Sequence, residues 1–351
     1  MTRGTTGLSP VEATESWFIH HGLPYFVPEE RACAREALSP RRILPVGVGV
    51  GVAAVAAAVA LSWLLGDLSL GAAGLTLIGV LAAGLYAVTA LRGRPILSWA
   101  FTRTMGSLHL LLPMVTRALP LLLLFVTFLF INAEVWQLAA SLDGGVLWLT
   151  VLMFGVMALV FLLTRLPEEL DGTGGQVEAE QLRRTCRGTP LEGELESLIE
   201  RGHVGVLDAD DIRVLGYERA NLLLVMVIVQ AVQVLVLAAA VFSFFMIFGA
   251  IVMSDEVMQT WLPNGTHHLS WLPNVSVELV QVSIFLAAFS GLYFTVVVLT
   301  DETYREQFFT GVKAELDRAV GVRVAYLALR ARRQDEPAPP TLPVAPMDHL
   351  R

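Results

Sequence analysis

Apolar residues dominate six stretches of the chain, with hardly a charge inside them. They are Ile43–Leu65, Leu68–Leu91, Leu119–Ala140, Val146–Leu163, Ala220–Val252 and Val275–Leu299. About 20 apolar residues in a helix cover the ~30 Å of membrane hydrocarbon. The pattern therefore predicts six membrane-spanning helices. The fifth is about 50 Å long at ~1.5 Å per residue, so it must tilt, kink or project. Two-residue and five-residue gaps, Gly66–Asp67 and Ser141–Gly145, predict tight hairpins between spans one and two and spans three and four. In the first hairpin Gly49, Ala53 and Ala57, then Gly79, Ala83 and Ala87, recur every four residues. Small residues at that spacing let helices pack closely in lipid.

Between the spans the polarity alternates in kind. All 24 Lys and Arg fall in the N-terminal segment, the second and fourth loops, and the segment after span six. The three alternate loops have none. By the positive-inside rule both termini face the cytoplasm. The expected organisation is a cytoplasmic segment 1–42, spans one to four over 43–163, a cytoplasmic insert 164–219, spans five and six over 220–299 with an outer loop 253–274, a cytoplasmic amphipathic helix 300–334, and a disordered tail 335–351. Residues 95–118 mix large apolar residues with Arg103, His109 and Arg117 and read as an interfacial helix. The insert predicts short helices near 191–201 and 208–218 and a loose stretch at 171–175. Val312, Leu316, Val320, Val324 and Leu327 mark one face of the C-terminal helix, with Arg330, Arg332 and Arg333 near its end. The fold class is all-α: a six-helix transmembrane bundle with cytoplasmic amphipathic helices and a small helical and loop insert.

Composition agrees with the pattern. Of 351 residues 55% are hydrophobic and 16% charged, with a mean hydropathy of +0.63. The net charge is −8, which gives no basic surplus for a nucleic acid. Two cysteines, Cys33 and Cys186, make no disulfide framework.

Ionisable residues within membrane spans are costly and mark functional candidates. Two occur, Glu134 and Glu278, each followed three residues later by an amide, Gln137 and Gln281. Residues three apart share a helix face. Thr127, Glu134, Gln137 and Ser141 form one stripe of span three, and Gln230 and Gln233 share a face of span five near mid-depth. Glu134, Gln137, Glu278, Gln281, Gln230 and Gln233 thus form a candidate intramembrane polar site, open outward, for a proton or a hard cation. The plainer reading is that each carboxylate reaches the interface or a hydrogen-bond partner. Two histidine pairs raise metal chemistry: His20-His21, and His267-His268 with Asp255 and Glu256. Neighbouring side chains diverge, so no metal site is expected. Asp208-Ala209-Asp210-Asp211 opens like a calcium loop, but Arg213 and Arg219 stand where glycine and glutamate are needed. Trp261-Leu262-Pro263-Asn264 recurs as Trp271-Leu272-Pro273-Asn274, two interfacial anchors around a turn.

Two further stretches carry a resemblance. Pro120-Leu121 through Phe130-Ile131-Asn132-Ala133-Glu134-Val135-Trp136-Gln137 is one. Phe289-Ser290-Gly291-Leu292-Tyr293-Phe294 through Leu299-Thr300-Asp301-Glu302-Thr303-Tyr304-Arg305-Glu306-Gln307-Phe308-Phe309 is the other. Together they resemble an uncharacterised family of multi-pass actinobacterial integral membrane proteins. The resemblance implies a plasma-membrane protein and no activity. No serine elbow, phosphate loop or zinc helix occurs. No enzyme and no cofactor is expected. The expected function is a membrane scaffold or accessory protein whose partners are the bilayer and a membrane or cytoplasmic protein. The alternative is a proton- or cation-coupled transporter or channel using Glu134.

Overall fold

The computed structural model describes residues 9–106, 123–142, 144–171, 179–201, 214–262, 265–269, 272–300 and 302–335. Helices dominate it. In chain order they are α1 (Pro10–His20), α2 (Pro28–Ala37), α3 (Pro40–Leu65), α4 (Leu68–Thr89), α5 (Gly93–Gly106), α6 (Leu123–Phe130), α7 (Ala133–Ala140), α8 (Val146–Asp171), α9 (Ala179–Cys186), α10 (Glu192–Glu200), α11 (Gly216–Val252), α12 (Asp255–Trp261), α13 (Val277–Thr300) and α14 (Glu302–Asp335). A single 3-10 turn, Pro24–Phe26, joins α1 to α2. A short antiparallel hairpin, β1 (His268–Leu269) with β2 (Leu272–Ser276), precedes α13.

The chain folds as two compact units. The larger comprises residues 18–175 and 215–316. Among its described residues are five helices long and apolar enough to cross a membrane: α3, α4, α8, α11 and α13. A sixth span exists if α6 and α7 count as one. Span three is therefore not the continuous helix that its apolar run predicts. It bends by 74° between Phe130 and Ala133. The freed backbone groups at the bend find local partners. The Asn132 side chain accepts from the Glu134 N–H at 2.8 Å, capping α7. The Trp136 indole donates to the Phe130 carbonyl at 2.6 Å. In lipid such groups have no water to turn to, so a break survives only where the protein satisfies them.

α13 is the centre of this unit. In its most apolar window 44% of residues are buried, against 6% for α3 and for α4. It packs against α11 on one side and α8 on another, where Phe154 meets Phe285 and Phe289. Close approach of α11 and α13 depends on glycine. A side chain at Gly249 would collide with Leu279, and one at Gly291 would press on Val234 at 3.1 Å. These two crossings make the pair antiparallel.

α3 and α4 do form the expected hairpin. Gly66 turns with a left-handed φ of 67°, and Asp67 caps α4 through the Ser69 N–H. The small-residue stripes do not make the contact, however. Gly49 and Gly79 have nothing against them. The helices approach near the turn instead, where Gly71 lies on Ser62 and Ala58, and Gly74 on Leu61.

The long fifth span resolves its excess length by projecting into protein. At its Gly216 end Asn221 is fully buried and grips the segment after α1. Its Oδ1 accepts from the Tyr25 N–H and its Nδ2 donates to the Gly22 carbonyl, both at 2.9 Å. Leu23 to Val27 are buried, so the aromatic N-terminal segment packs inside the unit. Of the expected interfacial helix 95–118, α5 covers the first part, and the rest lies outside the described residues.

The smaller unit comprises residues 1–17, 176–214 and 317–351. Within it α9 crosses the second half of α14 so closely that a side chain at Gly321 would collide with Thr185. The Tyr326 hydroxyl donates to Glu15 Oε1 at 2.5 Å, which pushes its phenol well above the usual range, with burial as the larger cause. Arg318 stacks over Trp17 and donates to the Arg187 carbonyl. Arg332 pairs with Glu194 at 3.5 Å. The expected single apolar face of the C-terminal helix is too narrow. Val322, Arg323, Val324, Ala325 and Tyr326 are all buried in succession, so this stretch is enclosed. Cys186 is buried here, and desolvation pushes its thiol up to about 11. The helix expected near 191–201 is α10. Of the short helix expected near 208–218, residues 208–213 lie outside the described residues, 214 and 215 are not helical, and from Gly216 the chain belongs to α11; most of the loose stretch 171–175 also lies outside the described residues.

Candidate functional site

The six candidate residues do not share one environment. Glu134 is exposed, in the first turn of α7. The bend separates it from Thr127, so the single stripe of span three is split in two. Gln137 is exposed and donates to the Trp261 carbonyl of α12 at 2.9 Å. Trp136 stands edge-on to Trp261, so α7 is anchored to α12 by both side chains.

Glu278 is buried in the first turn of α13, where the helix dipole favours a negative charge. It is held by one residue. The His267 N–H donates to both carboxylate oxygens at 3.2 Å, and His267 Nδ1 lies 2.8 Å from Oε1. Gln281, one turn further, is half-buried. Ser276 caps the same helix by accepting from the Leu279 N–H at 3.0 Å.

Gln230 and Gln233 sit elsewhere. Gln230 lies 22 residues before Val252, about 33 Å along the helix at ~1.5 Å per residue. That places it in the Gly216 half of the helix. Gln230 is buried and Gln233 half-buried.

The histidines behave as neighbours in a strand do. His267 turns to Glu278, while His268 Nε2 turns to Asp255 at 3.3 Å. Among the described residues no three His, Cys, Asp or Glu side chains converge as a metal site.

The most completely built polar cluster escaped the sequence reading. Glu218 is 5% exposed and pairs with Arg31 at 2.5 Å. Arg31 Nε also donates to the Tyr25 carbonyl at 3.0 Å. The Tyr25 hydroxyl donates to the Leu91 carbonyl at 2.6 Å, and burial raises its phenol. Arg35 lies over the Tyr217 ring. Glu218 and Asn221 stand three apart just before the fifth apolar run, which is the one signal the sequence offered. Their partners are almost 200 residues away and carry no pattern that links them. With its partners in place, this cluster clamps the N-terminal segment onto the base of α11.

Large apolar side chains on the spans face outward: Trp63, Leu64, Leu68 and Ile251 are all more than 70% exposed. Water would not tolerate an apolar surface of that extent, but lipid does. The fold is that of a multi-pass α-helical membrane protein. Compared with known proteins, the chain matches no family model, no curated protein and no solved structure.

Proposed function

We propose that this is a multi-pass plasma-membrane scaffold or accessory protein, not an enzyme, with both termini in the cytoplasm. The observation that carries the reading is the smaller unit. Residues before the first span, the insert between spans four and five, and the helix after span six fold together as one compact helical unit. All its chain segments belong to the arginine-bearing set, which supports a cytoplasmic position. Its exposed rim carries both signs, with Arg183 paired to Glu196 and Arg184 to Glu180. A photo-crosslinking residue at Arg184, 75% exposed, tests the role. In intact cells it should capture one discrete protein that a probe at lipid-facing Trp63 does not. Capture of nothing at Arg184, or the same products at both positions, ends the scaffold reading.

A second reading is a proton- or cation-coupled transporter or channel using Glu134. It is supported by the broken span, since discontinuous helices present backbone termini to ions in transporters. Purified protein in liposomes should then pass protons or Na⁺, and Glu134→Gln should abolish the flux. Absence of wild-type flux, or flux untouched by Glu134→Gln, removes this reading.

A further inference from the structure

Gln230 and Gln233 present an unusual pair of atoms. The Gln230 Nε2 and the Gln233 Oε1 are buried and have no hydrogen-bond partner. Gln230 as a whole is 2% exposed. Buried polar groups are nearly always bonded. The two residues stand three apart on α11 and so share a face. One atom is a donor and the other an acceptor.

The glycine contacts give the register of the facing helix. Gly291 of α13 lies against Val234 of α11, and the two helices run antiparallel. One turn from Val234 toward Gly216 is Gln230. One turn from Gly291 toward Thr300 is Thr295. Thr295 is fully buried, and its hydroxyl proton goes to the Gly291 carbonyl at 2.9 Å. Its oxygen keeps the capacity to accept. The register therefore brings one donor amide and two acceptor oxygens to the same level of the α11–α13 seam.

We propose that this level of the seam is an internal water site. One water accepts from Gln230 Nε2 and donates to Gln233 Oε1 and Thr295 Oγ1. About three hydrogen bonds is the usual complement of a buried water. The assignment survives an exchange of nitrogen and oxygen in the Gln233 amide, because the water can then accept from both amides and still donate to Thr295. A dry, direct Gln230–Gln233 bond is the competing arrangement.

The test is water-edited solid-state NMR on the full-length protein in liposomes, with 15N-labelled glutamine and valine. The near-isosteric variants Gln230→Met and Gln233→Met assign the two side-chain amide signals by their loss. Both signals should receive magnetisation from water several-fold faster than the backbone amide of buried Val241. Thr295→Val, which keeps the shape and removes an acceptor, should slow that transfer for both glutamines. It also serves if a methionine variant does not fold. Build-up at both glutamines as slow as at Val241 overturns the proposal and favours the dry bond. Fast build-up that Thr295→Val leaves unchanged overturns the assigned geometry.

Discussion

Glu278 shows how one side chain settles the cost of its own burial. A carboxylate removed from water is tolerable only when its lone pairs are taken up. Here a single residue, His267, supplies the backbone N–H and the ring Nδ1, and the start of α13 supplies its dipole. The Val277 N–H in turn donates to the His267 carbonyl at 2.7 Å, so the loop is clasped in both directions. Glu278→Gln keeps the shape but offers only one oxygen, and its amide opposes the His267 N–H. Hydrogen bonds to a charged group contribute about 1.5–3 kcal/mol. Amide exchange in the described loop residues 265–269 and 272–276 should quicken by roughly tenfold or more, about 1.4 kcal/mol per factor of ten. The middle of α13 should exchange as before. Hydrogen exchange read by mass spectrometry decides it, and an unchanged loop would show that the carboxylate does not hold it. The adjacent His268 takes Asp255 on α12, so two successive residues tie the loop to two different helices.

At the scale of elements, continuity of hydrophobicity proved a poor guide to continuity of helix. The run from Leu119 to Ala140 reads as one span, because Ile131, Asn132 and Ala133 interrupt its apolar character only once. The break was nonetheless written there. Asn132 two residues before Glu134 is the pairing of an N-cap with an acidic first turn. A single asparagine within so long an apolar run does not by itself mark a cap. α11 shows the converse. Its 37 residues exceed any upright span, and the excess was legible by length alone. What covers the excess was not, because Gly22 and Tyr25 lie about 200 positions from Asn221. The small-residue stripes of α3 and α4 fell between these cases. Their spacing was real, but spacing identifies a face and not its partner.

For the whole molecule the orientation is the property most open to test. Two exposures matter to the design. Gly265 holds a left-handed φ of 76°, so a cysteine there would be strained. Gln259 on α12 is exposed and helical, and it makes the better reporter. Native Cys33 is exposed and must be replaced, whereas buried Cys186 with its raised thiol reacts slowly at neutral pH. In a Cys33→Ser, Cys186→Ser background, Gln259→Cys should label with an impermeant maleimide on intact cells. Arg184→Cys should label only after the membrane is opened. The reverse pattern would invert the proposed topology and place the smaller unit outside.

The division of labour between sequence and tertiary structure follows from range. Hydrophobic runs and charge asymmetry are local quantities, fixed by transfer of each segment between water and lipid. They determined the all-α class and the approximate spans. The same local logic read Glu134 and Glu278 as a pair, since they have the same chemistry in similar sequence. Tertiary structure decided otherwise, exposing one and enclosing the other under His267. It also chose Asn221 and Glu218 as the clamp on the N-terminal segment, joined three remote segments into the smaller unit, and left Gln230 Nε2 and Gln233 Oε1 buried without a hydrogen-bond partner. The clamp and the smaller unit depend on surfaces that meet across roughly 190 to 310 residues, and even the 11-residue step from His267 to Glu278 is set by a loop, so neither leaves a periodicity in a single chain.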